Sequence, residues 1–471
     1  MGALIKSNSN TTVVFNPATA NRAGGEITNT STGSHGAAYA GLYLFVMLLY
    51  LRPNELFPGV FGEFPIAKIV AIVTLLAYTL SKLSSGEKIT EWPLELKMVI
   101  TIFVLGILFI PVASSSKDSI DFLKDTYSKV VMIFIIFINL VNTRARLMNI
   151  MKLTIFLGTW IAIDAINKYR SGDFMMENLR IMGAVGGMFS NPNDLAISFD
   201  LLLPLTVVLM LLHKGLMRLA MLFCSLALVA GVVVTFSRGG FLGLAAAGGL
   251  MMWKMGKGNR IMTIISAMVL LGVFVVSMPG SYGDRLLSIS SENMDKTGSS
   301  WERKELMKRA FEVAIHHPVV GVGMNNFHIF SIKEKVAHNS YLEIWAELGL
   351  TGLIAYLVLM FAPMRSLSRV EDESSKEFAR DPSGGTVSRE IYLLSIGIQA
   401  TFAAYLICSF FGSVQYLWHV YFLAGYAVAV RVIWQMEKTL MADAGNKPDL
   451  KEKRTNTGSL WKSYRLRSAF R

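Results

Sequence analysis

About twelve apolar runs dominate this sequence, and most of them are long enough to cross a lipid bilayer. A membrane-spanning helix needs about 20 mainly apolar residues, and inside lipid only a helix or a closed barrel satisfies its own backbone hydrogen bonds. The runs occupy residues 38–52, 65–83, 95–112, 127–142, 148–166, 194–212, 217–235, 238–255, 261–278, 340–363, 391–411 and 416–436. This pattern predicts an all-α polytopic membrane protein with about twelve transmembrane helices.

Composition excludes a soluble globule, because 53% of the side chains are hydrophobic and only 17% are charged. The net charge of +12 does not indicate a nucleic-acid partner, since the excess lies largely in short connectors and the C-terminal tail. Both cysteines, Cys224 and Cys408, fall inside apolar runs. The sequence therefore favours core packing over a disulfide framework or a cysteine metal site.

The basic residues predict the orientation. If the N-terminus is cytoplasmic, every short connector on the cytoplasmic side carries lysine or arginine, as topology requires. The residues concerned are Lys82, Lys88, Arg144, Arg146, Lys214, Arg218, Lys254, Lys257 and Arg260. Both termini are therefore expected inside, and segments 167–193, 235–239 and 279–339 outside, where ATP and nucleotide sugars are not available.

These boundaries divide the chain into five parts. We expect a disordered cytoplasmic tail over 1–36, transmembrane helices 1–9 over 37–278, and a large, partly helical outer loop over 279–339. Transmembrane helices 10–12 follow over 340–436, and a basic cytoplasmic tail over 437–471. The mixed charges at 371–377 indicate a solvated loop.

The first candidate cluster on the outer side is GGMFSNPND at 186–194. Gly-Gly and Pro192 predict a turn before the sixth span, and Asn193 or Asp194 can cap the following helix. Capping alone would account for the cluster. In the functional interpretation, the turn around Asn191 and Asn193 exposes backbone amides that bind an anionic or sugar ligand.

The second cluster is TFSRGG at 235–240, between two apolar runs. Arg238 lies at the membrane boundary on the side where positive charge is disfavoured, so it is a functional candidate with Ser237 beside it. A guanidinium can bind phosphate oxygens in a bidentate manner without a metal. The alternative is an arginine whose charged end simply reaches the lipid headgroups.

The outer loop contains a cationic helical pattern from Trp301 to Ile315, and HHP at 316–318 marks its end. Arg303 is one of its basic residues. Adjacent histidines point in different directions on a helix, so His316 and His317 indicate a helix end rather than a zinc site. The glycines at 321–323 do not form a nucleotide loop, because no strand precedes them and no lysine follows.

The third functional candidate is His338, followed by Asn339 and, one turn later, Glu343. A neutral imidazole can accept a proton from a hydroxyl nucleophile, so His338 is the candidate general base. A lone histidine beside a helix start also serves as a cap or a packing residue. Its occurrence with the other outer clusters favours catalysis.

Three ionisable residues lie within the spans, namely Lys68, Asp164 and Asp200. In the predicted orientation each is closer to the outer end of its helix. They are therefore expected to line a cavity open to the outside, although Lys68 could equally reach the headgroups.

The order and spacing of four motifs resemble the O-antigen ligase and polysaccharide polymerase family of the bacterial cell envelope. The motifs are TFSRGG at 235–240, HPVVGVG at 317–323, AHNSYLE at 337–343 and ELGLTG at 347–352. The architecture of about twelve helices with one large periplasmic loop is also similar. The long N-terminal tail is not expected of the family.

This resemblance implies a metal-independent, inverting glycosyltransferase of the inner membrane that needs no cofactor. Its donor would be a glycan on undecaprenyl pyrophosphate. The acceptor would be the lipid A core in a ligase, or another lipid-linked repeat unit in a polymerase. Arg238 and Arg303 match arginines thought to hold the pyrophosphate, with Arg285 and Arg309 as alternatives to Arg303, and His338 matches the base. Ser237, Asn191, Asn193, Asn339 and Glu343 would support them.

Two interpretations outside this class are weaker. A flippase or other transporter would place its charges near the middle of the membrane and repeat its halves, whereas the charges here lie outside and no clear repeat is present. A non-catalytic membrane scaffold would tolerate the loss of His338.

Overall fold

The computed structural model describes residues 35–62, 64–173, 181–256, 299–380 and 386–445. Within these ranges the chain is helical and forms no strand. The expected N-terminal tail, the span at 261–278, Arg285, the first part of the outer loop and most of the C-terminal tail lie outside the described residues.

We label thirteen helices in the described residues. They are α1 (Gly36–Leu51), α2 (Ile66–Ser84), α3 (Leu94–Leu108), α4 (Ser116–Phe122), α5 (Ser128–Leu140), α6 (Arg144–Ser171), α7 (Pro192–Leu212), α8 (Gly215–Val234), α9 (Arg238–Met255), α10 (Ser299–His316), α11 (Ser340–Arg380), α12 (Thr386–Cys408) and α13 (Trp418–Gly445). A π-helical turn, Leu123–Tyr127, joins α4 to α5. Short helical turns occur at Pro53–Leu56, Pro58–Phe61, Ile110–Val112, Gly187–Phe189, Phe327–Phe330 and Ile332–Glu334.

Seven helices in the described part are long and apolar enough to cross a membrane. They are α1 with the turn after it, α2, α6, α7, α8, α11 and α12. The prediction of an all-helical membrane protein is confirmed, whereas the count of about twelve spans is not. Two of the expected spans correspond to α3 and α5. Helix α3 has 15 residues, which is shorter than a bilayer usually requires. Helix α5 continues the helical run that begins at Ser116 and passes through the π-helical turn.

Helix α7 lies at the centre of the bundle and packs against α8, α9 and α12. Small residues permit close approach at these contacts, as is usual between membrane helices. A Cβ atom at Gly243 of α9 would overlap Cys408 of α12 and lie 2.7 Å from the Asp200 carboxylate of α7. On the outer surface of the bundle, large apolar side chains such as Leu80, Leu216 and Leu226 are exposed, as expected of a surface that faces lipid.

The two ends of the bundle have different sets of polar contacts. At one end Arg431 makes a bidentate ion pair with Glu95 at 2.8 Å, and Arg144 pairs with Glu390. At the other end Ser237 contacts Asn193, and Ser340 contacts Ser409. The predicted cytoplasmic connectors thus meet at the first end, and the predicted outer segments meet at the second.

The expectation of a loop at 371–377 is wrong, whereas Asp372, Glu373 and Lys376 are exposed as expected of a solvated segment. Helix α11 continues through this segment to Arg380, and Glu371 is only 2% exposed. Its carboxylate pairs with Lys254 and accepts a hydrogen bond from Gln399 at 2.9 Å. A mixed charge run can face partners on neighbouring helices, which a linear pattern does not reveal.

The glycine motifs at 317–323 and 347–352 join the loop after α10 to α11. Gly349 interrupts α11 with a φ of 65°, and the Leu350 amide donates to the Pro318 carbonyl at 2.7 Å. The Val322 amide donates to the Ala346 carbonyl at 2.9 Å. Backbone packs directly on backbone here, so these glycines have a structural role.

Gly349→Ala is expected to destabilise the protein. A Cβ atom at this position would overlap the Val319 carbonyl, and the left-handed backbone alone disfavours alanine by about 1–3 kcal/mol. Thermal unfolding in detergent measures the loss. Gly248→Ala is the control, because a Cβ atom there meets nothing within 4 Å. Equal stability of the two variants would contradict this account.

Candidate functional site

Three turns meet at one end of the bundle. They are the α8–α9 turn at 235–237, the segment 337–339 before α11, and residues 409–416 between α12 and α13, here called the 409–416 turn. The Ser340 amide donates to the Ser409 carbonyl at 2.8 Å, and its hydroxyl donates to the Gly412 carbonyl at 2.7 Å. On the other side, a Cβ atom at Gly239 would lie 2.9 Å from that of Phe411. The 409–416 turn therefore contacts both segments that carry predicted site residues.

Arg238 is the first residue of α9 and is half-buried. Ser237 caps this helix by accepting a hydrogen bond from the Gly240 amide at 3.2 Å. The Ser237 hydroxyl also donates to the Asn193 side-chain oxygen at 3.0 Å. Phe236 has a φ of 53°, a left-handed conformation that is uncommon outside glycine. A guanidinium thus lies at a helix N-terminus, where the helix dipole also favours an anion.

Asn191 is the N-cap of α7, and the prediction that Asn193 or Asp194 caps this helix is wrong. The Asn191 side-chain oxygen accepts from the Asn193 and Asp194 amides, each at 3.0 Å. Pro192 occupies the first helical position, which suits proline, so the residue before it becomes the cap. Asn193 instead links the start of α7 to Ser237.

His338 has a φ of 54° and a half-buried side chain. The next residue, Asn339, caps α11 by accepting from the Tyr341 and Leu342 amides, each at 3.0 Å. The capping alternative raised for this motif therefore applies to Asn339. Left-handed residues that are not glycine store strain and cluster at functional sites, and here one carries the imidazole.

Glu343 connects the His338 segment to the 409–416 turn. Its buried carboxylate accepts from the Ala337 amide at 2.7 Å and from the Gln415 side chain at 2.9 Å, and it also accepts from Ser413. One turn further along α11, Glu347 accepts from the Phe327 amide at 3.2 Å and from the Tyr416 hydroxyl at 2.9 Å. These carboxylates fix the loop next to the imidazole.

The charges around His338 come mainly from α10. Burial lowers the pKa of His338 to about 4, and the positive charge of Arg303 acts in the same direction. Lys335, which pairs with Glu302 at 2.7 Å, adds a smaller effect of the same sign, while Glu302 opposes it. The imidazole is therefore neutral at pH 7 and able to accept a proton.

The three ionisable residues that the sequence places within the spans lie apart from one another. Lys68 is exposed, Asp164 pairs with Lys168 at 3.1 Å, and Asp200 is fully buried beside Cys408. They do not form one cavity.

The helical pattern at 301–315 is confirmed by α10, which ends at His316. In the described ranges no group of three potential ligands could hold a metal ion.

Sequence reasoning missed Arg52 and Glu55 at the same end. Glu55 accepts from the Gly186 amide at 2.6 Å and pairs with Arg52, whose guanidinium lies against Gly187. Arg52 directly follows an apolar run on the predicted outer side, which is the criterion that selected Arg238. Ser413, Gln415 and Tyr416 carried no such signal.

The fold and this end of the bundle define a helical integral membrane protein with a polar, arginine- and histidine-containing site built from interhelical turns. Residues 197–357 match the family model described as O-antigen ligase. All four motifs that predicted the resemblance lie inside this segment, so the predicted resemblance to the O-antigen ligase family is confirmed over residues 197–357. No curated protein matches the chain.

Proposed function

We propose that this protein is an O-antigen ligase-type glycosyltransferase of the bacterial inner membrane. It transfers a glycan from undecaprenyl pyrophosphate to a hydroxyl of the lipid A core on the periplasmic side. One observation carries the proposal, in addition to the family match. Gly239, which follows Arg238, and Ser340, which lies two residues after His338, both pack against the 409–416 turn, and Arg303 adds positive charge beside His338.

The proposed reaction uses these groups in separate roles. His338 accepts the proton of the acceptor hydroxyl as its oxygen attacks the anomeric carbon and forms the new glycosidic bond. The bond between that carbon and the pyrophosphate oxygen breaks, and the pyrophosphate leaves with the electron pair. Arg238 and Arg303 stabilise the negative charge that develops on it, as fixed cations do in a site shielded from water. Attack from the opposite face inverts the anomeric configuration.

Asn191, Asn193, Ser237, Asn339 and Glu343 then have positioning roles. Ser237 and Asn339 cap the helices next to Arg238 and His338. Asn193 connects α7 to the Arg238 turn, and Glu343 fixes the peptide before His338. Such support matters because a small displacement of a reacting group can lower the rate about 10²-fold.

Purified protein tests the proposal directly. It is incubated with a synthetic polyprenyl-pyrophosphate glycan and, in parallel, with lipid A core or a lipid-linked repeat unit as acceptor. We expect glycosylated lipid A core. Extension of the repeat unit alone would make the protein a polymerase, and absence of transfer to either acceptor would refute the proposal.

The pH dependence of kcat/KM should reflect a buried imidazole. Because the pKa of His338 is lowered to about 4, loss of activity through its protonation is expected near that pH rather than near the usual 6.5. Arg303→Gln removes a charge that lowers this pKa, so the acidic limb should move to higher pH. Rate measurements from acidic to neutral pH test both statements, and a limb at the same pH in both proteins would contradict the assigned charge effect.

Transfer should persist in EDTA without added metal, since the proposed charge stabilisation uses guanidinium groups. The initial rate with and without chelator measures this. A strong loss that is restored by a divalent cation would instead direct attention to His316 and His317.

A further inference from the structure

Helix α10 has two contrasting faces. Leu306, Ala310 and Ala314 are fully buried against the rest of the protein. On the opposite side Trp301, Phe311 and Ile315 are 65%, 45% and 51% exposed. At about 3.6 residues per turn, these three and the lysines at 304 and 308 fall within roughly a quarter of the helix circumference. We call this set the exposed face of α10.

A surface that contacts only water is not expected to carry this combination of exposed side chains. Single exposed apolar residues are common, but a contiguous exposed apolar patch marks an interaction surface. Lys304 is exposed, as is Lys308, which lies 3.8 Å from Glu312. Aromatic and aliphatic side chains mixed with lysines are typical of helices that lie in the headgroup region of a bilayer.

The exposed face continues into the lipid-facing surface of α11. Val319, just after α10, is 62% exposed, and Leu350 and Ile354 of α11 are 48% and 53% exposed. The two segments touch, because Leu350 donates to the Pro318 carbonyl at 2.7 Å and Thr351 donates to the Val319 carbonyl at 3.3 Å. Since Leu350 and Ile354 belong to a candidate membrane span, the end of α10 lies at its border.

We propose that the exposed face of α10 lies in the headgroup region of the bilayer and binds anionic phospholipids. Its apolar side chains enter the boundary of the acyl chains, and Lys304 and Lys308 contact the phosphates. Continuity with α11 favours the bilayer over a second copy of the chain. The surface anchors α10, and with it Arg303, at the level of the membrane. This inference does not depend on the proposed reaction.

Spin labels on the full-length protein in vesicles test it. Phe311→Cys and Ile315→Cys report the exposed face, and Lys333→Cys, at an exposed position in the loop after α10, is the matched control. Both native cysteines are buried, and the unsubstituted protein measures background labelling. The vesicles contain phosphatidylcholine with or without phosphatidylglycerol and no polyprenyl lipid, so any lipid contact comes from the bilayer.

Labels at 311 and 315 should collide several-fold more often with oxygen, relative to a water-soluble nickel complex, than the label at 333. Adding phosphatidylglycerol should increase this difference, and Lys304→Gln with Lys308→Gln should abolish the increase. Water-like accessibility at 311 and 315 would overturn the proposal. So would spin–spin broadening that disappears on dilution, which indicates a second copy, or shielding that requires added donor lipid.

Discussion

His338→Asn is expected to lower the rate of glycan transfer by about 10²–10⁴-fold, the usual contribution of a general base. Asparagine is the suitable replacement because His338 has a φ of 54°, and asparagine tolerates the left-handed region better than alanine does. The variant should therefore fold and insert normally while lacking a group that accepts the proton. Single-turnover transfer to lipid A core, with thermal unfolding in parallel, measures both properties.

His317→Asn is the matched control for this experiment. His317 is an exposed histidine of the same loop, and it lies at the end of α10 remote from Arg303. Its replacement should leave transfer unchanged. Near-normal transfer by the His338 variant would remove this residue as the base, and equal losses in both variants would point to a general effect on the loop.

Arg238→Lys should reduce transfer by about 10²-fold, comparable to removing one fixed donor from a charge-stabilising site. The substitution keeps the positive charge but replaces a planar, bidentate fork with a single ammonium. The first turn of α9 should form as before, because its cap is Ser237. The pyrophosphate leaving group would consequently lose the paired hydrogen bonds of the guanidinium but keep the attraction of a positive charge.

Arg309→Lys provides the comparison. Arg309 lies on α10 and pairs with Glu305 at 3.4 Å, away from the α8–α9 turn, and its conversion should have little effect on the rate. Binding of a non-transferable polyprenyl-pyrophosphate analogue separates affinity from turnover in both variants. Wild-type turnover by Arg238→Lys would show that the pyrophosphate role assigned to this residue is wrong.

Local patterns predicted the features that depend on residues close together in the chain. The apolar runs predicted α6, α7 and α8 to within a few residues, and the cationic pattern predicted α10. The motif order predicted the family over the segment that matches it. The roles of the individual site residues remain predictions that the experiments above address.

Such local patterns could not predict contacts between residues that are distant in the sequence. Glu343 was selected as a neighbour of His338, but its partners Ser413 and Gln415 lie in another turn of the chain. The capping of α7 was assigned to the wrong residue because Asn191, Asn193 and Asp194 all suit that role. Glu371 was taken as solvated because its partners, Lys254 and Gln399, belong to other helices.

The 409–416 turn has a consequence for the way this chain can diversify. It supplies none of the proposed reacting groups, yet Phe411 lies against the start of α9, and Ser413 and Gln415 hold the carboxylate behind the imidazole. The proposed pyrophosphate-binding residue and the proposed base are thereby connected by a segment that follows every motif shared with the family. Substituents on an incoming sugar could be accommodated by altering this spacer while the reactive residues stay the same.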